Sequence, residues 1–508
     1  MNTRIILATL LASAATLAAA TQPNVLFIAV DDLKPLLGCY DTPMIQTPRI
    51  DSLASQGTVF SNAYCQQAVC GPTRASLLTG LRPDTTKVWD LKTRLRSILP
   101  DVVTLPQYFR EHGYEAVGMG KIFDPRSVDG RETDDARSWS RPYVKIKQNP
   151  NSQMGFLNPD FVARAKEAKK ANRGDWEGMK KTLGGTPAVE IDLDVPDEAY
   201  EDGELAAKGV ELIGELSKGD KPFFLAVGFH KPHLPFIAPK KYADLYKRES
   251  IQPAEFQKMP EGAPALAFQD SYELKNGSYS DYAKLVGLVP EEKQRELIHG
   301  YMACVSYVDA QVGKLLDALK ANGVAGNTIV VFWGDHGWHL GDHGMWCKHT
   351  NFEQATHVPL IISRGADGAG GAKSKSPVEF LDIYPTLCDL AGLPKPEGLH
   401  GTSLVPILDD PKASVKPYAV SQYPRGNQAN EMMGYAFRDG RYRYVRWIPK
   451  GPKAPKETFE ELYDYEKDPL ETKSFVSDPA YAKTLAAKRA EADDYFAKKG
   501  PESTDPKQ

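Results

Sequence analysis

Several polar residues of this chain stand where helices and strands are expected to begin or end, in types and spacings that suit catalysis. In Val69-Cys70-Gly71-Pro72-Thr73-Arg74 a cysteine stands at the mouth of an expected helix, with proline in its first turn, Ala75 to Leu78 as helix formers and Gly80 placed to end it. Unpaired N–H groups and the positive end of the dipole favour an anion there, and Arg74 adds a guanidinium with bidentate geometry for an oxyanion. A cysteine that only fills core needs neither. Asp31-Asp32 and Asp335-His336 add three carboxylates and an imidazole. On one rim those carboxylates would repel one another unless a cation lay between them. Oxygen ligands favour calcium or magnesium, and the single imidazole leaves manganese or zinc open. Taken singly, each has a plainer reading. An Asp-Asp pair after a strand is commonly a turn or cap, and His230, between Phe229 and Lys231-Pro232, reads as a structural histidine.

What argues against the plain readings is the set of elements that must carry these residues. Apolar runs rich in β-branched residues alternate with helical patterns, which predicts a parallel α/β sheet covered on both faces. Residues 24–30 end in Asp31-Asp32, residues 328–333 lead through Gly334 into Asp335-His336, residues 222–229 run into His230, and residues 115–119 lead through Gly120 into Lys121. Parallel strands would gather these endings along one crest, where open α/β sheets bind ligands.

Composition agrees with an enzyme of this class. The 508 residues are 42% hydrophobic and 25% charged with a formal charge of −4, ordinary globular material without the basic footprint of a nucleic-acid binder. The start, MNTRIILATLLASAATLAAATQ, reads as a cleaved export signal over residues 1–20, and no membrane anchor is expected. The six cysteines are scattered without a CxxC pair, so a disulfide scaffold is not expected.

Cys-Gly-Pro-Thr-Arg at 70 to 74 is similar to the sulfatase signature Cys-x-Pro-Ser-Arg, with Thr-Gly at 79 to 80 continuing it. FFLAVGFHKPHLPF and GDHGWHLGDHGMWCKHTNFEQATHVPLI extend the likeness across most of residues 22 to 470. The chain resembles the type I sulfatases of the alkaline phosphatase superfamily, most closely the iduronate-2-sulfatase branch. The resemblance implies an alkaline phosphatase-like fold: a large, mostly parallel sheet sandwiched by helices, with a smaller C-terminal antiparallel subdomain. It implies that a maturation enzyme converts Cys70 to formylglycine, whose hydrate attacks sulfur, and that Asp31, Asp32, Asp335, His336 and the modified Cys70 hold one Ca2+. By the same likeness Arg74 would orient the hydrate, Lys121 and Lys348 would hold sulfate oxygens, and His230 would serve the leaving group as acid. One departure bears on chemistry: sulfatases carry a histidine two or three residues after the lysine matching Lys121, and here Phe123 and Asp124 stand there.

Trp338, His343 and His233 are candidates for a sugar subsite, and the charged stretch from about 126 to 202 reads as an insertion over the site. The catalytic domain is expected over 21–410 and an α+β subdomain over 411–508, where residues 434–447 alternate around Asp439-Gly440 as a hairpin and a charged helix follows Asp478. The expected function is hydrolysis of sulfate esters on an oligo- or polysaccharide, with a 2-O-sulfated uronic acid suggested by the branch, in a periplasmic or secreted enzyme. Three rivals stay open: a phosphate or phosphonate ester hydrolase of the same superfamily, a sulfated-glycan-binding protein whose turnover is impaired by Asp124, and a protein whose Cys70 stays a thiol.

Overall fold

The computed structural model describes residues 22–40, 44–130, 134–368, 370–426 and 430–499, so the expected leader over 1–20 lies outside the described residues. Seven strands form the main sheet: β1 (Asn24–Val30), β2 (Thr58–Phe60), β3 (Glu115–Gly120), β4 (Phe223–Phe229), β5 (Thr328–Gly334), β6 (Leu360–Ser363) and β7 (Ala372–Ser374). Their order is β7-β2-β6-β5-β1-β4-β3. The four strands expected to carry the crest are parallel neighbours, with β1 between β4 and β5 and with β3 beyond β4. The other half departs from the expected parallel pattern, because β6 runs antiparallel to both β5 and β2.

Every residue of β1 is buried, and its side chains divide by parity. Leu26, Ile28 and Val30 join one core with Leu205, Leu212, Leu297, Tyr301 and Leu315, from helices α2 (Glu201–Leu216) and α3 (Glu291–Ala321). Val25, Phe27 and Ala29 join a second core with Leu77, Leu78 and Phe109, on the side of helix α1 (Cys70–Thr79). Helices therefore cover both faces, as an apolar strand without polar alternation requires.

The crest depends on one close approach. Gly120 has φ 75°, and a Cβ there would lie 2.1 Å from the Gly228 carbonyl oxygen. Only glycine lets the chain leave β3 here and deliver Lys121 to the strand ends.

Strands β8 (Ala419–Arg425), β9 (Met432–Arg438), β10 (Tyr442–Pro449) and β11 (Phe459–Asp464) form a separate antiparallel sheet, and α4 (Ala482–Lys499) follows. The expected hairpin is the β9–β10 pair, closed by Asp439 N–H donating to the Tyr442 carbonyl at 3.0 Å. The stretch after Arg126 is less loop-like than expected. It carries helices over Pro159–Ala171 and Trp176–Leu183, and Val189–Glu190 pairs with Phe236–Ile237. Among the described residues no helix is long and apolar enough to cross a membrane.

Candidate active site

Helix α1 begins at Cys70, with extended Val69 as its cap and left-handed Gly80 closing its far end. The Cys70 sulfur lies 3.3 Å from His336 Nε2. His336 Nδ1–H donates to the Gly337 carbonyl at 3.1 Å, which leaves the Nε2 lone pair facing Cys70 and Asp32 Oδ1, 3.3 Å away. Burial lowers the pKa of His336, so the ring is neutral and able to ligate. Asp31, Asp32, Cys70 and His336 each offer one ligand atom within 4.8 Å of the others.

Asp335 stands behind this group. Its Oδ1 accepts the Asp32 and His336 amides at 2.9 and 3.0 Å, and its Oδ2 accepts Arg74 Nε–H at 2.9 Å. Arg74 also donates to Asp31 Oδ1 at 3.1 Å and to the Lys121 and Ile122 carbonyls. Its donors thus fix the acids rather than Cys70. Lys121 Nζ reaches Asp31 Oδ2 at 2.6 Å, and Lys348 Nζ reaches Asp32 Oδ1 at 3.1 Å and Glu273 Oε1 at 2.8 Å.

The electrostatics test whether a cation belongs here. Asp31, Asp32, Asp335 and Glu273 outnumber the cations Arg74, Lys121 and Lys348. Burial, together with the charges of Asp31, Glu273 and Asp335, pushes Asp32 well above the usual carboxylate range despite Lys348. Against burial, Lys121 and Arg74 hold Asp31 well below it. A divalent ion would relieve the excess, and the donors, carboxylates and one neutral imidazole, fit it. Burial and Asp31 push the Cys70 thiol upward, so as a thiol it stays protonated and unreactive.

His230, at the end of β4, is held by an acid on α2. Asp202 accepts the His230 and Lys231 amides at 2.9 and 2.8 Å and lies 3.6 Å from His230 Nδ1, with Glu201 at 3.9 Å. Burial lowers the His230 pKa, but Glu201 and Asp202 overcome it and raise the group. His233 does reach the site, 3.4 Å from Glu273 Oε1 and 3.9 Å from Asp32 Oδ2, with burial and Lys348 holding it down to about 3.

Two expected sugar-subsite residues are corrected. Trp338 is 0% exposed, packed on Phe236 beneath Lys348, whose Nζ lies 4.9 Å from the ring. His343 is buried against Phe352, with rings 4.5 Å apart, and its Nε2 pairs with the Leu470 carbonyl at 3.1 Å. The 338–346 segment folds back through the antiparallel pair of Leu340 with Trp346, which turns both rings inward. Sequence reasoning missed Glu273, which arrives from a short helix over Tyr272–Lys275 without a motif, and Asp202, whose place in a first helical turn reads as a cap.

The family profile described as Sulfatase matches residues 23–393, and one described as N-sulphoglucosamine sulphohydrolase, C-terminal, matches residues 341–495. Iduronate 2-sulfatase of Homo sapiens is 35% identical, over 90% of this chain and 91% of its own. Delta 4,5-hexuronate-2-O-sulfatase of Bacteroides thetaiotaomicron is 29% identical, over 94% and 89%. A solved structure described as a 2-O GAG sulfatase superposes with a TM-score of 0.67 at 27% identity, covering 94% of this chain and 92% of its own. A likeness that runs through nine tenths of the chain, at more than one residue in three, places it in the sulfatase family as a sulfuric ester hydrolase.

Proposed function

We propose that this sulfatase removes sulfate from a saccharide, with a 2-O-sulfated uronic acid as the sugar, using Cys70 as formylglycine beside one calcium ion. The sugar is suggested by relatives named for iduronate and hexuronate 2-O-sulfate. One observation carries the chemistry: Cys70 opens a helix, 1% exposed, 3.3 Å from the His336 lone pair and beside the Asp31-Asp32 pair. A protonated thiol gains little from helix-end amides and nearby cations, whereas an oxygen-bearing group gains from both.

Asp31, Asp32 and His336, with Asp335 at their border, would hold the ion. When present, calcium would screen the carboxylates and polarise the sulfate, and the hydrate would supply the nucleophilic oxygen. The chain's own residues do the rest. Arg74 fixes Asp31 and Asp335, so the donor set is formed before substrate enters. Lys121 and Lys348 lie on either side of the acid pair, placed to take sulfate oxygens as charge builds on them. His230, whose hold on a proton Glu201 and Asp202 strengthen, gives its proton to the departing sugar oxygen. The balance is one water consumed, with an alcohol and sulfate released.

The reading includes export, from the leader-like residues 1–20, and a maturation enzyme acting on Cys70. Two measurements test it. The mass of the Cys70 peptide from active enzyme should report sulfur replaced by oxygen with two hydrogens lost, the aldehyde rather than the alcohol, and sulfate release across defined sulfated oligosaccharides should favour 2-O-sulfated uronates. An active enzyme with an unmodified thiol, or one faster on aryl phosphate than on aryl sulfate, would overturn it.

A further inference from the structure

Asp124 stands next to the site, and its charge is answered two residues later. The side chain is fully buried. Its Oδ1 accepts Arg126 N–H at 3.0 Å and Nε–H at 2.9 Å, and its Oδ2 accepts Nη2–H at 2.8 Å. Against burial, these bonds and Lys121, 3.9 Å from the same carboxylate, hold Asp124 down to about 2. It is therefore an anchor with no proton to give.

The turn bearing Arg126 abuts the helix mouth. Ser127 N–H closes it onto the Asp124 carbonyl at 2.8 Å, and a Cβ on Gly71, next to Cys70, would lie 2.6 Å from Ser127 Oγ. Asp124 Oδ2, which accepts Nη2–H, lies 3.9 Å from Lys121 Nζ, and that ammonium lies 2.6 Å from Asp31 Oδ2, so one lysine separates the clamped guanidinium from the acid pair. One edge of the fork, Nε and Nη2, is committed to Asp124. Nη1 has no protein partner among the described residues, and the side chain is 52% exposed. A long side chain clamped by a buried acid, with its free donors at the rim, has already lost the freedom that binding would otherwise take from it.

We propose that Arg126 is a specificity-determining residue that binds a second anionic group of the substrate, beside the sulfate being removed. For a uronic acid that group is the ring carboxylate, and for a polysulfated sugar it is a neighbouring sulfate. The inference deepens the reading above and rests on it for the identity of the sugar. It also gives Asp124 a role that needs no imidazole: aiming the arginine.

The test compares kcat/KM of the wild-type enzyme, Arg126→Gln and Arg126→Lys on matched pairs. These are a 2-O-sulfated uronate disaccharide with its carboxyl-reduced counterpart, and a disulfated glucosamine with its monosulfated counterpart. Arg126→Gln should lose about tenfold, mostly in KM, on the member with the second anion relative to its partner, as loss of a charged hydrogen bond implies. Arg126→Lys should fall between. Because Arg126→Gln leaves Asp124 buried without its partner, the double variant Asp124→Asn/Arg126→Gln is measured too, and the same loss of selectivity is expected. Equal losses on both members of every pair, or none, would overturn the proposal and leave Arg126 as Asp124's counter-charge. Failure of the uronate reading would look different: wild-type enzyme active on the glucosamine pair and inactive on the uronate. The glucosamine pair would then still decide the role of Arg126.

Discussion

At His230 two acids of one helix end set place and charge. Asp202 grips two successive backbone amides and lies beside Nδ1, and with Glu201 it raises the imidazole against burial and against Lys121. A group with a raised pKa is charged below that value and loses its proton as pH climbs through it, so the acid role proposed for His230 belongs to the low side. Asp202→Asn removes one raising charge. The alkaline limb of kcat/KM should move to lower pH, and kcat on a saccharide should fall about ten- to a hundredfold, more than on an aryl sulfate with a better leaving group. A purely structural role would lower both substrates alike and leave the limb in place. Some of this was legible beforehand. Acids directly after apolar runs must emerge at strand ends, which places Asp31, Asp32, Asp335 and His336. The directions of rings two and seven residues beyond His336 are set by a fold-back that periodicity does not encode, hence Trp338 and His343. Glu273 comes from a separate short helix and had no signal.

Among the elements, the β3 terminus depends on a close approach of two backbones. Gly120 and the Gly228 carbonyl approach so closely that any side chain at 120 must displace β3 or β4, and Lys121 is the next residue. Gly120→Ala also forces a side chain onto a positive φ, at a cost above about 1 kcal/mol. A lower Tm is expected together with a raised KM for sulfate esters, whereas Gly113→Ala, also at a positive φ but with open space around it, should lower Tm without raising KM. The parallel strands could be read because fully buried strands look alike in sequence. The reversed β6 could not, since a run as short as three apolar residues and a serine carries no mark of direction.

For the molecule as a whole, β1 is the shared wall of two cores and ends in the acid pair, so folding and ion binding are linked. An ion that binds only the folded chain adds about 2.7 kcal/mol at a hundred times its Kd. Removal of divalent ions should lower Tm by a few degrees and abolish turnover, and calcium should restore both more fully than magnesium. An unchanged Tm would mean that the acids are balanced without an ion. The C-terminal sheet joins the same structure: Arg425 donates to the His349 carbonyl at 2.5 Å, and Asn351 to the Gly434 carbonyl at 3.0 Å. Its hairpin was legible from Asp439-Gly440; its seat against residues 349–351 depends on long-range pairing that no local pattern reports.

The concealment of Cys70 fixes an order of events. Once the two cores close and the later strands dock, no catalyst of protein size can reach that sulfur. Its proposed conversion therefore belongs to the interval before folding, while the segment is still extended, and a chain that folds first is committed to remaining inert.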